Sequence, residues 1–153
     1  MKHQIPYFKQ NRDYTCGPAC LRMVLAYYGI EQDKVTLAME CRTDVFGTYP
    51  SALAYAAKKF KMIATSKREA SWQEIEVSIA SNSPVICIVD SGILNQTDKK
   101  GNLHMVVVIG VEHKAVVFHD PQDGPARVIP IARFQEAWQA NRQEVIQIWR
   151  KKK

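Results

Sequence analysis

What this sequence lacks narrows it before any motif is considered. Its apolar runs are short: "PVICIV" and "MVVVIGV" are the longest, far below the roughly 20 residues that cross a bilayer. The N-terminal "MKHQIPYFKQ" has no apolar core of the kind that marks a secretory signal. Both absences point to a cytoplasmic protein with no integral membrane segment, although a chain translocated without a classical signal would read the same way. Cysteine is scarce, at four in 153 residues, and no CxxC pair or close Cys/His cluster occurs, so zinc and other metals are not expected. Without an export signal, the four thiols are expected to be reduced. No repeat, low-complexity tract or linker interrupts residues 1–149, and the length suits a single domain, 1–153, with residues 1–4 and 150–153 as frayed termini. Nothing in the pattern calls for a cofactor.

What is present begins with a charge of +6 and a composition of 46% hydrophobic and 24% charged residues. Part of the positive charge sits in the terminal "RKKK", and no interleaving of aromatic and basic residues accompanies it, so nucleic acid is not an expected partner. The first half reads as helical. Apolar periodicity gives a helix over 16–28 with Gly29 at the left-handed position beyond it. Asp33 caps a second helix to about Glu40, Pro50 opens a third in "TYPSALAYAAKKF", and Ser71 with Glu74 makes a capping box for a fourth ending near Ser81. The second half changes period, with β-branched runs at 84–89, 104–110, 115–120 and 126–131, then a helix in "ARFQEAWQAN" and a strand in "EVIQIW". Helices first and antiparallel strands afterwards is an α+β order. Between two strands lies the long polar segment 90–102, which with Phe46–Ser51 is a candidate rim for a cleft.

Cys16 and Cys20 share a stripe of the first helix with Val24 and Tyr28, so Cys20 is expected inside, and Cys41 and Cys87 sit in apolar surroundings. Cys16 lies where the helix begins, and the unpaired N–H groups there favour an anion such as a thiolate. Gly17 leaves room for a substrate backbone, and Pro18 gives up an N–H the first turn does not need. Alone, this leaves Cys16 open to being a buried first-turn residue.

A nucleophilic thiol needs a base, an orienting group and oxyanion donors. Of the four histidines, His3 falls in the terminus, His113 in a hairpin turn, and His119 late in a strand. His104 follows the "KKGN" loop and starts the most apolar strand, at the mouth of the core. Asp120 ends the partner strand. A three-residue hairpin loop, Glu112 to Lys114, would pair Val111 with Ala115 and put His104 and Asp120 on one face; a two-residue loop would break that parity unless a bulge restored it. Asp120-Pro121 also reads as a plain strand-ending turn. The Gln10 amide can donate to an oxyanion if its loop brings it beside the Cys16 N–H.

Taken together, "IPYFKQNRDYTCGPACLRMVLAYYG" and "HMVVVIGVEHKAVVFHDPQDG" followed by "RFQEAW" resemble the bacteriocin-processing cysteine peptidases, papain-like domains that cleave leader peptides after a double glycine and are often fused to exporters. The resemblance runs from about Ile5 to Trp138. It implies a papain-like α+β fold, with an N-terminal helical part packed on a C-terminal antiparallel sheet. It implies Cys16 as nucleophile, His104 as base and acid, Asp120 as orienting carboxylate and Gln10 as oxyanion donor. Apart from the resemblance, Gly17, Gly47, Asn102 and Leu103 are the substrate-binding candidates. Two departures stand out. Thr15 occupies the place before the cysteine where exporter-linked members carry Asp, and no membrane domain or ATPase accompanies these motifs, so double-glycine specificity does not carry over. The expected activity is thiol-dependent cleavage of a peptide or protein, with a separate exporter as a conceivable partner. Acyl transfer or amide hydrolysis by the same triad, and a silent peptide-binding module, are the alternatives.

Overall fold

The computed structural model describes residues 3–98 and 100–151. Among the described residues six helices and six strands alternate unevenly: α1 (Cys16–Tyr27), α2 (Lys34–Glu40), α3 (Pro50–Lys58), β1 (Met62–Lys67), α4 (Trp72–Ala80), β2 (Val85–Asp90), α5 (Ser91–Asn95), β3 (Leu103–Glu112), β4 (Ala115–Asp120), β5 (Gly124–Pro130), α6 (Ile131–Gln139) and β6 (Val145–Arg150). The strands form one sheet in the order β1-β6-β2-β3-β4-β5, with every pairing antiparallel.

The local signals act where they stand. The Asp33 side chain accepts from the Thr36 N–H, and Ser71 and Glu74 complete a reciprocal capping box. Pro50 occupies the first turn of α3, where its missing N–H costs nothing. Gly29 ends α1 at φ +83°, a conformation without penalty only for glycine. The two tyrosines before it tie the end of α1 down: Tyr27 Oη donates to the Asn82 carbonyl and Tyr28 Oη to that of Ile148, both at 3.0 Å.

Helices cover both faces of the sheet. On one side Leu21, Leu25, Leu37 and Leu53 pack against Met105, Val107, Ile86 and Ile146. On the other, Ile75, Leu94, Phe134 and Trp138 pack against Val106, Val108, Val85 and Phe118. Burial on both faces explains why "MVVVIG" and "VICIV" read as continuous apolar runs instead of alternating ones.

The structure departs from the sequence reading in four places. The helical first half contains an edge strand, β1, whose "MIATSK" is exposed at three of six positions and therefore carries little pattern; it forms by pairing with β6, from Met62↔Arg150 to Lys67↔Val145. The polar segment 90–102 is not all loop, because Asp90 Oδ1 accepts from the N–H groups of Gly92 and Ile93 and starts α5. Expected fraying falls partly on residues 1, 2, 152 and 153, outside the described residues, but His3 is buried: its N–H donates to the Ile109 carbonyl and its Nε2 meets the Ile79 carbonyl at 2.7 Å. The β3–β4 hairpin turns through two residues, His113 and Lys114, pairing Glu112 with Ala115 and Val111 with Val116. A bulge between Val108 and Gly110 then shifts the register, so that Val107 faces His119 and the even parity at the far end returns.

Among the described residues no helix is long and apolar enough to cross a membrane. Replacing Ser71 by Ala removes one half of the α4 capping box and is expected to lower stability by about 1 kcal/mol, read as a shift in the urea midpoint with an unchanged slope.

Candidate active site

The helix start that carries Cys16 meets the end of β3 that carries His104. α1 packs on β3 through the buried Cys20, whose Sγ donates to the Met105 carbonyl at 3.4 Å. Cys16 is partly exposed, whereas Cys20, Cys41 and Cys87 are buried. Burial drives all three of those thiols up, Cys41 to about 12.

His104 is 5% exposed and pairs across the sheet with Val89. Its Nε2 lies 2.7 Å from Asp120 Oδ1, and Cys16 is near enough to act on the charge of the ring. Burial would lower the affinity of this imidazole for a proton, but the bond to Asp120 and the nearby Cys16 outweigh it and raise its pKa to about 10. Asp120 is fully buried at the end of β4. Burial pushes its carboxyl up, yet the bonds from His104 and from the N–H groups of Gln122 and Asp123 hold it below the usual carboxylate range. The structure thus brings Cys16 and His104 to one cavity and bonds His104 to the buried Asp120.

The remaining candidates divide. A cavity of about 390 Å³ opens beside Cys16 and His104, lined also by Asp44, Phe46, Gly47, Thr48, Tyr49 and Leu103 and by Arg68, Asn141 and Glu144. Gly47, at φ +110° with open space where a Cβ would point, and Leu103, 59% exposed, belong to that wall. Asn102 does not line it; its Nδ2 donates to Ser91 Oγ and its carbonyl accepts from the Ser91 N–H. Gly17 offers no room for a substrate either. It is buried, and a Cβ there would lie 2.9 Å from Thr48, so its bareness serves the packing of α1 on the Thr48–Leu53 segment. Of the two rim segments expected, Phe46–Pro50 borders the cavity, while Gly92, Ile93, Gln96 and Lys100 face a separate one against α6.

Gln10 stands close by but is otherwise engaged. Its N–H donates to the Pro121 carbonyl, one residue past Asp120, and its Nε2 donates to the Arg12 carbonyl at 2.8 Å instead of turning to Cys16. Its Oε1 is buried without a partner, in a depression shared with Thr15, Pro18 and Ala19. Thr15 does not cap α1 with its side chain; Oγ1 bonds back to Asn11 and Arg12 and closes the loop that holds Gln10.

Three residues absent from the sequence reading surround Asp120. Arg127 Nη1 donates to Asp120 Oδ2 at 2.8 Å, Tyr7 Oη donates to the Asp120 carbonyl at 2.7 Å, and Asn95 accepts from Arg127 Nη2 at 2.8 Å. No motif announces them, since each is an ordinary polar residue brought in by the fold. His119 is occupied structurally, its Nε2 on the Ile5 carbonyl and its Nδ1 accepting from the Ala126 N–H. His113 lies in the hairpin turn and is exposed. Among the described residues no group of three or more His, Cys, Asp and Glu could hold a metal ion.

The Peptidase_C39 like family matches this chain over residues 2–146, and the chain belongs to that family. No curated protein sequence resembles it closely enough to count as a relative. Among solved structures, a C39-like protein from Bacillus anthracis superposes with a TM-score of 0.81 at 23% identity, over 98% of this chain and 96% of that one. The peptidase domain of Streptococcus ComA, a bi-functional ABC transporter of a quorum-sensing pathway, gives 0.73 at 23% identity over 94% and 97%. A double-glycine-motif protease from an AMS/PCAT transporter, solved with its leader peptide, gives 0.73 at 22% identity over 96% and 92%. The fold is accordingly the papain-like fold of C39 peptidase domains.

The histidine–carboxylate pair makes stability depend on pH from both sides. Against an unfolded value of about 6.5, the raised His104 contributes stability that is complete below that pH and is lost as pH rises through about 10. The lowered Asp120 contributes above its unfolded value and loses that as pH falls through its folded one. In an NMR titration the His104 ring is expected to change state near 10, and at distinctly lower pH in Asp120→Asn. A ring titrating near its ordinary value in both proteins contradicts the pairing.

Proposed function

We propose that this protein is a cysteine peptidase that cleaves a peptide or protein backbone through Cys16, His104 and Asp120, with Gln10 contributing to the oxyanion site. The observation that carries the reading is the bond from His104 to the buried Asp120, with Cys16 and His104 opening on one cavity. Family membership and the C39 fold support it.

In the reaction, the Cys16 thiolate adds to the scissile carbonyl carbon while His104 carries the proton. The oxyanion that forms lies at the start of α1, where the first N–H groups have no acceptor within the helix. The Gln10 amide carries two N–H donors, of which Arg12 takes one; the other joins the Cys16 N–H on the oxyanion. His104 then gives its proton to the leaving amine, and the C–N bond breaks to leave a thioester on Cys16. Water, deprotonated by His104, displaces the thiolate and releases the acid. Asp120 keeps the ring oriented and its positive form stabilised throughout. Gly47, Leu103 and the Phe46–Pro50 wall flank the extended substrate. The leader-peptide complex of the transporter-linked relative makes small-residue cleavage sites in exported peptides the first substrates to try.

Iodoacetamide at about pH 6, where an ordinary thiol is almost entirely protonated, is expected to label Cys16 rapidly and the three buried cysteines slowly, with the Cys16 rate falling sharply in His104→Ala. Uniform slow labelling contradicts the activated thiol. A peptide-library digest read by mass spectrometry is expected to show cleavage that vanishes in Cys16→Ala and drops roughly a hundredfold in Gln10→Ala. Fast labelling without any cleavage would instead favour acyl transfer or peptide binding.

A further inference from the structure

Resting on the peptidase reading, we propose that Arg127 is a positioning residue of the triad, gripping one oxygen of Asp120 so that the other stays on His104. The carboxylate of Asp120 is divided cleanly. Oδ1 accepts from His104 at 2.7 Å and from the N–H groups of Gln122 and Asp123 at 3.0 and 3.1 Å. Oδ2 accepts from Arg127 Nη1 at 2.8 Å, and among the described residues that is its hydrogen bond. Because Asp120 is fully buried, losing Arg127 would leave Oδ2 without a partner, and the carboxylate would gain by rotating to share the donors of Oδ1.

The guanidinium is itself fixed. Its Nη2 donates to Asn95 Oδ1 at 2.8 Å, and its carbon lies 5.2 Å from the centre of the Phe118 ring. Asn95 ends α5, which Asp90 caps, and Asn95 Nδ2 reaches Asp123 Oδ2 at 3.3 Å. Arg127 therefore ties β5, the end of β4 and α5 to one carboxylate. A lysine could keep the charge but could not serve both Asp120 and Asn95 in one planar fork.

The ionisable groups around Asp120 are His104 on β3, Cys16 and Cys20 on α1, Tyr7 on the N-terminal segment, and Asp123, whose Oδ2 lies 3.8 Å from Arg127 Nη1. Loosening the bond from Asp120 lowers the proton affinity of the His104 ring, and a less firmly charged ring gives the Cys16 thiolate less support. The test measures the rate of Cys16 alkylation by iodoacetamide and the NMR titration of His104 across the pH range, in the full chain and in Arg127→Met and Arg127→Lys. The Met variant is expected to shift the alkylation midpoint upward and the His104 midpoint downward, each by about half to one pH unit, and to broaden the downfield Nε2–H signal of His104. The Lys variant is expected to hold both midpoints near wild type. Where Arg127→Met fails to fold, Arg127→Gln removes the same charge and is expected to shift the midpoints in the same directions. Wild-type midpoints and an undisturbed Nε2–H signal in the neutral variant overturn the proposal while leaving the triad standing. Slow alkylation of Cys16 in the unmutated protein overturns the triad and this inference together.

Discussion

A buried carboxylate organises this molecule. Asp120 ends a strand inside the protein, and an ion in such surroundings persists only if its oxygens are supplied with donors and a compensating charge. The fold supplies four donors from three places: His104 from the neighbouring strand, Arg127 from the next, and two backbone N–H groups from the turn that follows. Its backbone carbonyl takes the hydroxyl of Tyr7, and the following Pro121 carbonyl takes the N–H of Gln10. The N-terminal segment is thus fastened to the same few atoms that orient the histidine.

That fastening links parts of the chain that look unrelated. Residues 3–10 run beside β3 and β4, held by His3 on Ile109, His119 on Ile5, Tyr7 on Asp120 and Gln10 on Pro121. The loop from Asn11 to Thr15 then turns into α1, closed by the Thr15 hydroxyl, so the thiol arrives at the end of a tethered run. The exporter-linked pattern puts Asp before the cysteine. Here a hydroxyl that both donates and accepts spends its bonds inside the loop and leaves the first turn of α1 without a side-chain cap.

Much of the architecture was legible because it is written locally. The caps at Asp33 and Ser71, the glycine stop at Gly29 and the proline start at Pro50 each act within one turn of helix, and they appear where the residues predict. Cys20, Cys41 and Cys87 are buried as their apolar settings imply. The edge strand β1 was not legible, because "TSK" has no apolar face to bury and exists as strand only against β6. The hairpin shows the same division. Its turn is one residue shorter than the pattern indicates, and a bulge at Val108/Gly110 returns the register that lets His104 and Asp120 meet.

The sequence by itself determined most of the element types, though not β1 or α5, together with the interior cysteines and the order of thiol, imidazole and carboxylate, since these follow from periodicity, capping and residue chemistry within short windows. Only the tertiary structure decided which polar groups complete the site. Arg127 and Tyr7 carry no motif and reach Asp120 through the packing of distant segments, and Asn95 holds Arg127 from a helix end. Gly17 turned out to be a packing contact with Thr48, Asn102 a loop fastener, and Gln10 a donor to Arg12. The reason is common to all of them: a hydrogen bond depends on tenths of an ångström and on direction, and those are set by how distant elements pack, not by the residues on either side.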